Sequence, residues 1–202
     1  MTKNEIYRHN QVKILCEPEI QLLFSKGLQT KRDRALFGIC LYGGCRINEV
    51  CTLTVRDVFT YTGKIKPHIL IRKGKTESKL AARYIGVCKN LEALLKVYQH
   101  PDNGYLFPGR HCRGHINPDS ATRLLREACE RVGLEGVSTE TFRRTMLVQL
   151  CNSGYHLKEI QEISGHKTLT ELRKHLEKYL VVNPKQIRGD ADEWHLKRLG
   201  LD

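Results

Sequence analysis

The sequence predicts an α+β fold, mostly helical, with one small antiparallel sheet that carries a basic hairpin. Apolar residues recur at helical spacing before residue 54 and again from residue 89 onward. Between them, over residues 55–87, the pattern shortens to that of strands and is broken by Thr62-Gly63 and by a polar turn at residues 73–79. With 202 residues, 40% of them hydrophobic, the chain can fill one substantial core.

Each element follows from local chemistry. A first helix is expected from Glu17 to Lys26, with Leu22, Leu23 and Phe24 apolar and Gly27 as its stop. A second begins near Thr30. Its apolar positions Ala35, Leu36, Ile39, Cys40 and Tyr42 are dense enough for a largely buried helix, closed by Gly43 and Gly44. The glycine pair puts Cys45 and Arg46 at the start of the next helical segment, CRINEVCTL. Short strands are expected across VRDVFTYTGKIKPHILIRKGKTESKLAARYIGV, with Lys73, Lys75, Lys79 and Arg83 forming a cationic finger. Helical patterns follow in LEALLKVYQH, SATRLLREACERVG, TETFRRTMLVQLCNSG, HLKEIQEISG and LTELRKHLEKYL. Residues 103–119, rich in Gly, Pro, Arg and His, form a loop whose Arg110 and Arg113 add to the basic surface. The sequence contains no internal repeat.

A formal net charge of +12 and a pI near 9.4 point to a polyanionic partner, because each phosphate neutralised by Lys or Arg releases condensed counterions. The N-terminus MTKNEIYRHNQVKIL carries charges throughout, unlike an export signal, and no apolar run is long enough to span a bilayer. A cytoplasmic, nucleoid-associated protein is expected. The eight cysteines are dispersed without a CxxC pair and read as reduced packing residues. His111, Cys112 and His115 are the one cluster with metal-ligand chemistry, but three residues of one short loop rarely close a zinc site, so no metal and no cofactor is expected.

The residues that carry chemistry are Arg46 in YGGCRINEV, Arg143 in TFRRT and His166 in ISGH. Taken singly, Arg46 reads as a helix-start arginine paired with Glu49, and His166 as a capping or buried histidine. Taken together, in this order and with a basic hairpin after the first, these segments resemble the catalytic domain of the tyrosine recombinases, the phage-integrase family. The resemblance runs from about Lys31 to Tyr179.

It implies a metal-free transesterification on duplex DNA. Two arginines, Arg46 and Arg143, and His166 would surround the scissile phosphate, a hairpin lysine would protonate the leaving 5′ oxygen, and a tyrosine would form a 3′-phosphotyrosyl link. The residue types suit that reaction: planar guanidinium groups grip non-bridging oxygens through paired, charged hydrogen bonds that strengthen as negative charge develops. Arg144, next to Arg143, points about 100° away on a helix and is expected at the DNA. Lys75 best fits the hairpin position, with Lys73 and Lys79 open if the hairpin is longer, and as a turn residue it also fits a merely solvated lysine.

Two positions depart from the family pattern. Three residues before Arg143 stands Glu140, an acceptor where the family has His or Lys. It would accept a proton from the nucleophile or orient Arg143. The family's tyrosine position, nine residues after His166, holds His175. Either His175 attacks phosphorus through an imidazole nitrogen, or Tyr179, about 6 Å further along the helix, takes the role. The third reading is that covalent chemistry has been lost, in nature or by deliberate replacement, leaving a non-catalytic DNA-binding regulator of recombination sites. A type IB topoisomerase shares the arginine, lysine and tyrosine chemistry and is the nearest rival enzyme.

The resemblance also implies organisation and assembly. Residues 1–30 are expected as an N-terminal arm with the first helix, 31–182 as the catalytic DNA-binding domain and 183–202 as a C-terminal tail, in one domain overall. That tail, with Trp194, Leu196 and Leu199, would dock on a neighbouring subunit or on its own domain. Few residues precede the matching region, so the chain is expected to be a minimal recombinase, a fragment or a protein that relies on a partner for the other half of the DNA grip. The partner is double-stranded DNA, with a free monomer assembling into a tetramer on it and no membrane association.

Overall fold

The structure, a computed structural model, describes residues 13–72 and 82–177. Among the described residues it is mostly helical with one two-stranded antiparallel sheet, the class the sequence predicts. Among the described residues, no helix is long and apolar enough to cross a membrane.

Helix α1 (Glu17–Leu22) starts at Cys16, whose N–H donates to Glu19 Oε2 at 3.0 Å, and carries Pro18 in its first turn, where a missing N–H costs nothing. It does not run straight to Lys26. Leu23–Gly27 form one π turn, closed by the Leu28 N–H on the Leu23 carbonyl at 2.8 Å. The wider turn brings Gly27 against α6 (Pro118–Arg131), so close that a Cβ there would lie 2.8 Å from the Ala128 carbonyl oxygen. Ile20, Leu23 and Leu28 thereby join the main core.

Helix α2 (Lys31–Tyr42) is the central element. Thr30 Oγ1 caps it by accepting from the Asp33 N–H at 3.0 Å, and Ala35 to Leu41 are buried without interruption. It packs against α5 (Lys89–Val97) and α7 (Thr139–Asn152), with Phe37 and Phe142 in ring contact at a centroid distance of 5.6 Å.

After α3 (Ile47–Cys51), the residues VRDV form a short helix, α4 (Val55–Val58), where the sequence pattern predicts strand. The correction has a local cause. The Asp57 carboxylate accepts from the Thr54 N–H at 2.8 Å and from the Thr54 hydroxyl at 2.6 Å, and this capping outweighs the strand preference of two valines. The sheet itself is β1 (His68–Ile71) paired with β2 (Arg83–Gly86), with Ile69 opposite Ile85 and Ile71 opposite Arg83. Ile69, Ile71 and Ile85 are buried while Tyr84 faces outward, the alternation that fixes register. Arg72, just past β1, is ion-paired with the buried Asp57 of α4. Lys73, Lys75 and Lys79 lie outside the described residues.

Helix α7 faces two cores. Phe142 belongs to the main one, whereas Leu147 and Val148 meet Ile160 of α8 (Leu157–Ser164) and Leu172 and Leu176 of α9 (Leu169–Glu177) in a second, smaller cluster. Arg143 therefore sits on α7 where the two cores meet.

Because Phe37 is fully buried at the centre, Phe37→Ala is expected to lower stability by about 3–5 kcal/mol in urea denaturation. Tyr61→Ala, on an exposed turn, should change it by less than about 0.5 kcal/mol.

Candidate active site

Among the described residues, Arg143 is the largest side chain to be buried almost completely, at 1% exposure. Its guanidinium spans the two halves of the domain: Nη1 donates to the Gly44 carbonyl at 2.5 Å, and Nη2 donates to the Ser164 carbonyl at 2.8 Å. The first acceptor exists because Gly44 takes a left-handed φ of 58°, turning the chain between α2 and α3, and a Cβ there would lie 2.9 Å from Met146 Sδ. Burial pushes the Arg143 pKa down to about 10, with the nearby Arg46 charge adding to the effect and the Glu49 and Glu140 carboxylates opposing it. Charge is kept throughout the neutral range. Arg144, the next residue, is only half-buried.

The second acceptor sits at the end of α8. Gly165 closes that helix with φ 68° and an N–H donated to the Gln161 carbonyl at 2.7 Å. The left-handed turn directs His166 back toward Arg143. His166 Nδ1 lies 2.6 Å from the Ser164 hydroxyl and 3.5 Å from Arg143 Nη2. A guanidinium can only donate, so the Arg143 contact is satisfied by the tautomer with Nδ1 as acceptor and the proton on Nε2. Burial holds the His166 pKa down to about 4, with the charges of Arg143 and His175 acting in the same direction. His166 is thus a neutral imidazole presenting an N–H donor.

Arg46 is the N-cap of α3, and its own N–H donates to Glu49 Oε2 at 2.8 Å. The anticipated side-chain pair between Arg46 and Glu49 is replaced by another. Glu49 takes a bidentate ion pair from Arg83, at 2.6 Å to Nη1 and 2.7 Å to Nη2. Among the described residues, no carboxylate pairs with the Arg46 guanidinium. This also corrects the expectation that Arg83 belongs to an exposed cationic finger: its side chain is 11% exposed and turned inward onto Glu49, with Nε donating to the Ile163 carbonyl at 3.0 Å. Burial works to raise the Glu49 carboxyl, but the Arg83 hydrogen bonds and charge outweigh it and hold the group below its usual range.

Helix α9 completes the arrangement. Thr168 caps it by accepting from the Glu171 N–H at 3.1 Å, and Leu172 and Leu176 dock it onto α7 and α8. His175, three residues after Leu172, is held half-buried with its ring centroid 5.4 Å from that of His166. Arg143, His166 and His175 are thus brought together, with Arg46 and Glu140 close enough to act on the Arg143 charge. Arg110 and Arg113 are exposed on the loop between α5 and α6, and His115 there stacks edge-on against Tyr105. Tyr179 lies outside the described residues. Sequence reasoning missed Ser164 and the carbonyl of Gly44 as supports of the arginine, and Arg83 as the partner of Glu49.

A profile of the phage integrase family matches residues 7–180, and the chain belongs to that family. It is 30% identical over 142 residues to the Bacillus subtilis (strain 168) protein named probable integrase/recombinase YoeC, covering 69% of this chain and 74% of that one. The chain spans only about half the length of other relatives named tyrosine recombinase, such as that of Thermosipho africanus (strain TCF52B), of which it covers 47%. In fold it is similar to the crystal structure of XerA recombinase, with a TM-score of 0.67 at 22% identity over 89% of this chain and 64% of that one. It is likewise similar to XerH site-specific recombinase bound to difH substrate in a pre-cleavage complex, with a TM-score of 0.62 at 23% identity over 80% of this chain and 49% of that one.

The depressed His166 pKa links the site to stability. A histidine held neutral in the folded state contributes stability above its unfolded pKa near 6.5 that is lost as pH falls toward about 4. The urea midpoint should therefore drop on acidification through this window, and His166→Asn should show a smaller drop than the parent.

Proposed function

We propose that this chain is the catalytic domain of a site-specific DNA recombinase, cutting and rejoining duplex DNA by metal-free transesterification through a covalent 3′-phosphoprotein link. The observation that carries this reading is the convergence of Arg143, His166 and Arg46 with the residue at the nucleophile position, His175. A net charge of +12 suits a duplex partner, and a neighbour in fold, the Tn1549 transposon integrase, was solved in complex with transposon right end DNA.

In this mechanism a scissile phosphate is gripped by Arg46 and Arg143, and the His166 Nε2–H donates to a non-bridging oxygen. The nucleophile on α9 attacks phosphorus in line. The bond to the 5′ oxygen breaks, and Lys75 delivers the proton that this oxygen takes up. Charge that accumulates on the non-bridging oxygens meets donors already fixed by the protein, which is where preorganised sites gain most of their rate. Attack by an incoming 5′ hydroxyl reverses the steps and frees the protein. Glu140, whose carboxylate acts on the Arg143 charge, orients that guanidinium or accepts the proton that the nucleophile gives up. Residues 31–182 form this catalytic unit, Lys73, Lys79, Arg110, Arg113 and Arg144 add to the DNA-facing charge, and four copies assemble on DNA from free monomers.

One observation favours a second reading, a DNA-binding regulator without strand cleavage. An imidazole stands where the family has a phenol, and it packs beside His166. A phosphorus–nitrogen link formed by His175 would be acid-labile, whereas a phosphotyrosyl link is stable to acid.

The deciding experiment is covalent capture on nicked duplex DNA that carries the sequence flanking the gene. An acid-labile, SDS-resistant adduct in the parent, lost in His175→Ala and kept in Tyr179→Phe, is the outcome for a working histidine nucleophile. No adduct in the parent but a stable one in His175→Tyr is the outcome for a recombinase site that lacks its nucleophile. No adduct in either, with site-specific binding intact, establishes the regulator. In whichever protein forms the adduct, Arg143→Ala should slow its formation by at least about a hundredfold, measured by single-turnover capture.

A further inference from the structure

The geometry points to Arg83 as a positioning residue that locks the β2 strand, the Arg46 turn and the Gly165–His166 turn into one unit. The inference rests on the recombinase reading of the site but concerns a residue that touches no reacting atom in that mechanism.

Four contacts from one side chain make the argument. Arg83 Nη1 and Nη2 hold Glu49 at 2.6 and 2.7 Å. The same carboxylate accepts the Arg46 N–H at 2.8 Å, so the backbone of the phosphate-gripping arginine hangs on the acid that Arg83 fixes. Arg83 Nε donates to the Ile163 carbonyl at 3.0 Å, in the last turn of α8. Its side chain also lies across Gly165: a Cβ there would come within 3.1 Å of Nη1 and 3.2 Å of Cδ. One guanidinium thus reaches α3, α8 and the turn that aims His166, from a strand 34 residues away from Glu49 and 80 from Ile163.

Only an arginine has the donors for this. A bidentate grip on Glu49 uses the two terminal nitrogens, leaving the Nε–H for Ile163. A lysine in its place keeps a charge near Glu49 but supplies a single nitrogen, which cannot hold both the carboxylate and the distant carbonyl in the same geometry. The pair is mostly buried, with side-chain exposures of 11% and 13%, so solvent screens it weakly.

The test is amide hydrogen exchange on the free protein, read in segments 44–49, 82–87 and 161–167, with α2 as the reference. Arg83→Met is expected to raise exchange by about tenfold in all three segments while α2 stays protected, since opening of local units can occur without global unfolding. A rise confined to 82–87 overturns the proposal. Should α2 also lose protection, Arg83→Lys decides: selective loosening of 161–167 with 44–49 retained supports the joint, and unchanged protection in both segments overturns it. A kinetic arm uses covalent capture in the protein that forms an adduct. Arg83→Met should lower kcat by about a hundredfold with KM for DNA within about threefold, as expected when groups are misplaced rather than removed. A loss carried by KM alone overturns it. If neither the parent nor His175→Tyr forms an adduct, the recombinase reading fails, and the exchange experiment still judges the joint.

Discussion

The site depends on the burial of one guanidinium. Arg143 is surrounded by protein, and its charge is tolerated because two backbone carbonyls, from Gly44 and Ser164, meet its donors head-on. Without those acceptors a buried cation would cost several kcal/mol. Everything that supplies them is therefore part of the site: the left-handed glycine after α2, the last turn of α8 and the packing of α7 between two hydrophobic clusters. The two clusters are held in register partly by the arginine that lies where they meet.

Around this centre the charges are arranged in alternation. Glu49 holds the Arg83 guanidinium and the Arg46 backbone N–H, and Glu140 lies along the same helix as Arg143. The acids have unequal tasks. Glu49 is consumed by hydrogen bonds to Arg83 and to the Arg46 backbone, which leaves no carboxylate among the described residues on the Arg46 side chain. In the proposed mechanism Arg46 thus keeps its donors for an incoming anion. Cys45, wedged beside Arg83, has its thiol pushed up to about 12 by burial and adds no competing negative charge.

Much of this was legible in the sequence where the signal is local. Gly43-Gly44 announced the turn before Arg46, and helical periods announced α2, α6, α7 and α8. What escaped was non-local or overridden. VRDV looked like strand because valines favour it, and a single Thr54–Asp57 capping arrangement reversed the outcome. Arg83 looked like one more cation of a basic hairpin, because nothing near it in sequence reveals a carboxylate 34 residues earlier. Ile20, Leu23 and Leu28 share the core with α2, a packing that no local signal announces. Ser164 gave no signal of its own, because its support of Arg143 comes through the backbone carbonyl.

The neutral state of His166 has a consequence for how this domain handles protons. With the imidazole uncharged well above pH 4 and Arg143 charged well below pH 10, neither group changes ionisation across the neutral range. In the proposed mechanism these two groups thus present a constant electrostatic face to a phosphodiester. Any bend in a pH–rate profile within that range then reports the groups that move protons, the donor to the leaving oxygen and the attacking side chain. Under the proposed mechanism, holding the anion is separated from proton transfer, so the two can be dissected by acidity alone.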